Sequence, residues 1–468
     1  MYVENNFDNI FRNYNKNYIK YLLLINSIIF LSFIIYCEYL NNNNFYPYSP
    51  EIIKIKIGNG KSAKIGIISD FQLDVNTKNI TYFKYFEINV IKALSVFKKN
   101  NIEIIIIPGD TTNRGRSEDY LLFKRLFYSV YDNYYNSPIV LSLMGNHDYI
   151  DLKLDVNKSR QRFYKYMKSY PYSHYIINNY NFIFWSNDNS QINITGIQDY
   201  SWIKSTLEKA RKNKNKKGDP IFVVTHMHPK KTCYGSENIW GHTGITNILK
   251  DYPEVICISG HSHYSLRNIK SIWQGNFTVI NTQSLSYVDL DKFYVNAMAV
   301  RIDSAKNDSM GLIAYLNQKN IIFERIEFNT EEIMEERWKI DFPINASNFK
   351  YIFDKRNKKI KPIFKDTNGI KIEKIKKNKN KNNVTNYIVF NAAFHKDYVF
   401  RYKIIFKNVT STNQYFYYSD YYKNKKFRKK IIKFELPITL KKGKYNVEIY
   451  AIDSFDNISK PKIGIIDL

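Results

Sequence analysis

Between about residue 51 and residue 340, short runs of β-branched residues alternate with longer stretches in which apolar positions recur every three or four places. The runs at 64–70, 102–108, 138–144, 220–225 and 254–259 read as strands. Phe83, Phe86, Val90, Leu94 and Phe97 share one face at helical spacing, which predicts a helix over 81–99 laid on a sheet. Similar patterns predict helices over 117–132, 157–169 and 200–213. Strands alternating with helices predict an α/β domain. Beyond Phe342 and Pro343 the texture changes. Residues 355–381 are rich in Lys and Asn, and from Tyr387 short alternating runs resume as YIVFNAAF, VFRYKIIF, KIIKFELPI and KYNVEIYAIDSFDNISKP. Short strands separated by turns predict an all-β antiparallel sandwich.

A third pattern opens the chain. Residues 21–37, YLLLINSIIFLSFIIYC, carry no charge, and the apolar stretch is close to the roughly 17–25 residues that span a bilayer. Arg12, Lys16 and Lys20 precede it and Glu38 follows, so the positive-inside tendency keeps the amino terminus cytoplasmic and sends the remainder across. No small residue stands before Cys37, which argues against cleavage as a signal peptide. The expected organisation is a cytoplasmic segment 1–20, a single-pass transmembrane helix 21–40, a polar spacer 41–50, an α/β domain 51–343 placed outside the cytoplasm, and a β-sandwich 344–468.

A length of 468 residues favours two or three folded units. The 70 Lys and Arg against 43 Asp and Glu give a net charge of +27, which by itself would suit an anionic partner. Lys, Asn, Ile and Tyr are all heavily used, however, and the basic residues are spread along the chain. That is a compositional bias, and nucleic acid is not an expected partner. Cys37, Cys233 and Cys257 form no C-x-x-C pair and no disulfide framework, so unpaired thiols are expected and sulfur ligation of a metal is not.

Polar residues cluster at the carboxyl end of each apolar run. IGIISD ends in Asp70, IIIIPGD in Asp110, LSLMGNHD in Asn146, His147 and Asp148, FVVTHMH in His226 and His228, and ICISGHSH in His261 and His263. A lone His or Asp at a strand end is more often a turn or cap residue than a ligand. Here five of the chain's eight histidines fall in three such motifs, and the joint pattern outweighs any single match. In open α/β sheets ligands gather beyond the carboxyl ends of the strands, so these side chains are expected to converge. Carboxylate, amide and imidazole together make an oxygen and nitrogen site for divalent ions.

The ordered series D-x-(His or Gln), GD, GNHD, H and GHxH resembles the calcineurin-like metallophosphoesterase superfamily over most of residues 64–263. The resemblance implies a four-layer α/β/β/α sandwich with two metals at the strand ends. Carried over by position, Asp70, Gln72, Asp110 and His263 would hold one metal. Asp110 would bridge to a second, completed by Asn146, His226 and His261. Two divalent ions roughly 3.5–4 Å apart clamp a phosphoryl group and lower the pKa of a bridging water toward about 7. His147 is then expected to stabilise the phosphoryl oxygens or protonate the leaving group, with Asp148 as its orienting partner. The final strand stretch of the chain resembles the closing strands of fibronectin type III modules, an immunoglobulin-like sandwich.

Most members of the superfamily carry His where Gln72 stands. The Gln carbonyl is a neutral oxygen donor that replaces imidazole without changing the charge, and it moves the preference toward Mn²⁺, with Fe, Zn and Mg as alternatives. His228 reads as a substrate contact or a bystander, and His242 as a cleft or loop residue. The run 271–287 is expected to form two strands that wall the cleft, with Arg267, Asn281 and Ser284 as candidate substrate contacts or structural residues. The expected function is a membrane-anchored phosphoesterase acting on phosphate mono- or diesters. The competing reading is a non-enzymatic surface adhesion or scaffold protein with a structural metal site. His147 separates the two, because holding metal does not require it.

Overall fold

The computed structural model describes residues 47–468 except 77–79, 133–136, 152–155, 187–199, 214–216, 238–239, 291–299, 303–308, 367–368 and 379–380. The expected anchor at 21–40, its flank 1–20 and spacer residues 41–46 lie outside the described residues. Among the described residues no helix is long and apolar enough to cross a membrane.

Two seven-stranded sheets form the α/β domain. In the first, the parallel neighbours Ser62–Ile67, Ile104–Ile107 and Ile139–Ser142 are extended by the antiparallel strands Met310–Asn317 and Asn320–Glu327, and the latter also pairs with Glu332–Ile333 and Trp338–Asp341. The second runs Ile53–Ile55, Tyr172–Ile177, Tyr180–Trp185, Ile221–Thr225, Val255–Ser259, Thr278–Asn281, Ile272–Gln274 in spatial order.

Alternation along each strand explains the layering. Ile104 and Ile106 face a core shared with Phe222, Val224, Ile256 and Ile258 of the other sheet. Ile105 and Ile107 face the opposite way, toward Phe97 of the helix Ile80–Lys99 and Phe123 of the helix Ser117–Val130. Val223 and Cys257 pack beneath Leu207 of Tyr200–Lys212 and Ile245 of Thr243–Leu249. Both sheets are therefore covered on both faces, giving the four layers α/β/β/α. Each fully buried Val or Ile contributes about 1.5–3 kcal/mol, so the apolar runs themselves hold the sheets together.

The four expected helices fall at Ile80–Lys99, Ser117–Val130, Val156–Met167 and Tyr200–Lys212. The run 271–287 forms the two expected strands, Ile272–Gln274 and Thr278–Asn281, an antiparallel pair at the end of the second sheet. Thr278–Asn281 lies beside the ligand strand Val255–Ser259, and the turn after it reaches Ser69 and Asp70. Cys233 and Cys257 are buried free thiols.

The α/β domain also continues beyond Pro343. Ile344, Phe349 and Tyr351 belong to the core between the two sheets, and Gln274 Oε1 accepts the amides of Lys350 and Tyr351 at 2.8 and 2.9 Å. The packed domain thus includes residues 344–351. Three apolar anchors are enough to pin this mostly polar segment, expected to open the β-sandwich, to the α/β core.

The C-terminal sandwich pairs a three-stranded sheet, Lys371–Asn378, Lys381–Asn391 and Ile431–Glu435, with a four-stranded sheet ordered Thr412–Tyr418, Arg401–Lys407, Lys444–Ile452, Lys462–Asp467. Ile388, Phe390, Ile404, Phe406, Val447 and Ile449 fill its core.

Candidate metal centre

All seven expected ligands meet at the carboxyl ends of the strands. One donor atom each of Asp70, Asp110 and His263 lies within 4.8 Å of the others. Asp70 Oδ1 is 3.2 Å from His263 Nε2, and Asp110 Oδ2 is 3.3 Å from His226 Nε2. The same His226 nitrogen is 3.0 Å from Asn146 Oδ1 and 3.1 Å from His261 Nδ1. Gln72 Nε2 stands 3.4 Å from His263 Nε2. The carboxylates of Asp70 and Asp110 are 0 and 1% exposed.

The backbone at these positions is strained. Asp70, Gln72, Asp110, His261 and His263 all have φ between 47° and 76°, the left-handed region that non-glycine residues rarely enter. Such residues persist where their surroundings over-determine them, and they concentrate at functional sites. Cross-links between the turns supply that constraint. The Asp70 amide donates to the Gly109 carbonyl, the Gln72 amide to the Asp110 carbonyl, and the Ser286 amide to the Asp70 carbonyl. The His261 amide donates to the Asp70 carboxylate at 3.1 Å, and the His147 amide to Asp110 Oδ1 at 2.8 Å. The glycines of GNHD and GHSH follow from the same closeness. A Cβ on Gly145 would lie 2.1 Å from Asp110 Oδ1, and one on Gly260 would lie 2.4 Å from Asp70 Oδ2.

The donor set fits divalent cations. His226 Nδ1 is 2.8 Å from the Pro108 carbonyl, which can only accept, so Nδ1 carries a proton and Nε2 is turned to the cluster. Around that nitrogen stand Asn146 Oδ1, Asp110 Oδ2 and His261 Nδ1, each able to offer an electron pair. Asp110 Oδ2 has no hydrogen-bond partner of good geometry, nor has the buried His263 Nδ1. The field has the same sense. Burial alone would raise the Asp110 carboxyl, but the charges of His226 and His147 hold it well below the usual carboxylate range. Burial alone would lower His226, but Asp110 lifts it to about 9. The carboxylates therefore draw positive charge onto His226, while burial and the His226 charge push His261 well below its ordinary value.

Gln72 turns its amide nitrogen toward His263 and its Oε1 toward Ser286 Oγ at 3.4 Å. A half-turn of the amide exchanges the two, and the Ser286 hydroxyl can serve either as donor or as acceptor. The carbonyl can thus reach the cluster without losing its hydrogen bond.

Asp148 does not orient His147, contrary to the sequence-based expectation. His147 Nδ1 donates instead to the Asn113 carbonyl at 3.0 Å. Asp148 Oδ1 accepts from the Thr112 amide and hydroxyl and from Tyr120, and its Oδ2 accepts from the Gly145 amide. Burial, with the Asp110 charge adding to it, pushes the Asp148 carboxyl up to about 6. Four donors converge on Asp148, which ties the GDTT turn to the GNHD turn, and the His147 imidazole is not among them. The true partners of His147 and His226 are backbone carbonyls, which no side-chain motif announces.

The remaining candidates resolve into structural roles. His228 is buried, with Nδ1 2.7 Å from Ser259 Oγ and Nε2 2.8 Å from Ser262 Oγ, and burial pushes it down to about 3. His242 caps the helix Thr243–Leu249 by accepting the Ile245 amide. Arg267 is buried against Glu332 at 3.1 Å, Asn281 donates to the Tyr264 carbonyl, and Ser284 donates to the Asp70 carbonyl. Two aromatic rings that the sequence reading did not single out flank the ligands. Tyr287 lies 4.2 Å from the His263 ring and Trp240 stands edge-on 5.0 Å from His261.

The fold is similar to that of several solved structures. A dimetal phosphatase from Danio rerio aligns at 13% identity over 60% of this chain and 99% of its own, with a TM-score of 0.40. GAP50, the anchor in the inner membrane complex of Plasmodium, aligns at 16% identity over 62% and 92%, TM-score 0.41. A purple acid phosphatase from yellow lupin seeds aligns at 10% identity over 60% and 54%, TM-score 0.40. The comparison with curated proteins returns no match. The calcineurin-like phosphoesterase family matches residues 63–265, a span that contains all seven expected ligands. That match, on a four-layer fold with its expected ligands brought together, places the α/β domain of this chain in the calcineurin-like metallophosphoesterase superfamily, a superfamily of phosphoester hydrolases.

Proposed function

We propose that the protein is a membrane-anchored phosphoesterase that hydrolyses phosphate mono- or diesters at a site for two divalent ions, with Mn²⁺ favoured. The convergence of lone pairs on His226 Nε2 from Asp110, Asn146 and His261 carries this reading. Asp70, Gln72, Asp110 and His263 would hold one ion, and Asp110, Asn146, His226 and His261 the other. Bound cations supply Lewis acidity toward the phosphoryl oxygens and an activated water near neutral pH.

The chain's own residues supply position and protons. Asp110, fixed through Oδ1 by the His147 amide, keeps Oδ2 turned to the cluster. His147, fixed through Nδ1 by the Asn113 carbonyl, exchanges protons through Nε2, which suits a donor to the leaving oxygen. Asp148 holds both turns in register and touches no reacting atom. The uncharged run within 21–40, with basic residues before it, supports a tether that leaves this domain on the extracytoplasmic side.

The test is a Mn²⁺-supplemented screen of the full-length protein on p-nitrophenyl phosphate, bis(p-nitrophenyl) phosphate and nucleoside diphosphate compounds, with Asp110→Asn and His147→Ala beside it. Turnover that both substitutions abolish supports the proposal. No turnover on any phosphoester favours the scaffold reading.

A further inference from the structure

Residues 264–270, directly after His263, are linked to the C-terminal sandwich at three points, directly through Ile269 and indirectly through Tyr234 and Glu332. The Tyr264 ring lies 4.7 Å from Tyr234, which meets Phe400 of the sandwich edge-on at 6.0 Å. The hydroxyl of Tyr421, also in the sandwich, donates to the Tyr234 hydroxyl at 3.3 Å, and the Tyr421 ring packs 5.2 Å from Phe400 and stacks on Tyr398 at 5.0 Å. The Ile269 amide donates to the Tyr398 hydroxyl at 3.3 Å. Arg267 binds Glu332, whose carboxylate also accepts from Asn424 of the sandwich at 2.6 Å.

The segment that carries Tyr234 is held against the ligand turn on its other side. His228 bonds Ser262, the residue between His261 and His263. A Cβ on Gly235 would lie 2.5 Å from Ser262 Oγ and 2.7 Å from the Tyr264 ring, so the two turns touch backbone to side chain. His261 and His263 both hold the left-handed backbone, with φ of 76° and 58°. A strained turn of that kind keeps its shape only while its neighbours enforce it, and the segment of Tyr234 that packs beside it is in turn held by Phe400 and Tyr421 of the sandwich.

We propose that the C-terminal sandwich is a working part of the metal centre, with Tyr421 and Phe400 acting through Tyr234 and Tyr264 as positioning residues for the GHSH turn. The consequence for metal affinity rests on the two-ion reading above, while the consequence for backbone order does not. Groups that orient ligands from behind typically change metal affinity 10–100-fold when removed.

The test compares full-length wild type with Tyr421→Ala, Tyr421→Phe and Val447→Ala. Val447 lies in the sandwich core and outside the cluster formed by Tyr398, Phe400 and Tyr421. Two quantities are read: Mn²⁺ affinity by calorimetry, and amide hydrogen exchange over residues 260–270 in the metal-free protein. The expected result is about tenfold weaker Mn²⁺ binding and faster exchange for Tyr421→Ala, a smaller loss of both for Tyr421→Phe, which keeps the ring against Phe400 but gives up the bond to Tyr234, and wild-type behaviour from Val447→Ala. Unchanged affinity and exchange in Tyr421→Ala would overturn the proposal, as would equal losses in Val447→Ala. Should Tyr421→Ala not fold, Phe400→Leu takes its place under the same criteria. A wild type that binds no Mn²⁺ would overturn the metal reading, and exchange over 260–270 would then decide the positioning role alone.

Discussion

Alanine at position 145 places a methyl group where Asp110 stands. The added Cβ lies 2.1 Å from Asp110 Oδ1 and 2.6 Å from the Asp110 amide nitrogen, so the carboxylate must retreat by about 1.3 Å to reach ordinary contact at 3.4 Å. It has little freedom to do so, because Oδ1 already accepts the His147 amide at 2.8 Å and the Asp110 backbone is held at a φ of 51°. Productive metal sites tolerate displacements of about 0.5 Å, and a misplacement near 1 Å costs about 100-fold in rate. Gly145→Ala is therefore expected to lower kcat/KM for p-nitrophenyl phosphate about 100-fold with saturating Mn²⁺. Overpacking should also reduce unfolding free energy by about 1–3 kcal/mol. Gly369→Ala, where an added Cβ meets nothing within 4 Å, serves as the control. Steady-state kinetics and urea unfolding on the two variants decide the matter. Wild-type turnover and stability in Gly145→Ala would show that Asp110 is not held where the reasoning requires it.

Three further outcomes are expected. His147→Ala should lower kcat about 10²–10⁴-fold while leaving Mn²⁺ affinity at the wild-type value by calorimetry, since it is the residue's amide that holds Asp110. Gln72→His should raise affinity for Zn²⁺ relative to Mn²⁺, read by competition titration, because imidazole is the softer donor; an unchanged ratio would remove Gln72 from the ligand set. Burial, opposed in part by the hydrogen bond to Asn181, lowers His174 below its ordinary 6.5, so the folded state binds that proton less readily than the unfolded chain. Its contribution to stability is present above pH 6.5 and is lost as pH falls below it, so the loss of unfolding free energy on acidification should be smaller in His174→Gln than in wild type.

The sequence disclosed the strand ends because a site at the carboxyl edge of a sheet must place its ligands just after apolar runs, and Asp70, Asp110, His226 and His261 all stand there. It disclosed the main helices because Phe86, Val90, Leu94 and Phe97 repeat at one spacing. Three features were hidden for definite reasons. The orienting groups behind His147 and His226 are the carbonyls of Asn113 and Pro108, and a carbonyl leaves no residue signature. Ile344, Phe349 and Tyr351 are too widely spaced among polar residues to show a period, so the expected boundary at 343 falls short of the end of the α/β core. The joint between the sandwich and the GHSH turn is built by Tyr234, Tyr264, Phe400 and Tyr421, and in a chain with 40 Tyr and 31 Phe no single aromatic stands out.

Anomalous scattering from crystals of the full-length protein grown with Mn²⁺ tests the central claim most directly. The account predicts two peaks roughly 3.5–4 Å apart, one against Asp70, Gln72, Asp110 and His263 and the other against Asp110, Asn146, His226 and His261. A single peak that leaves Asn146 and His261 uncoordinated, or none at saturating Mn²⁺, would contradict it.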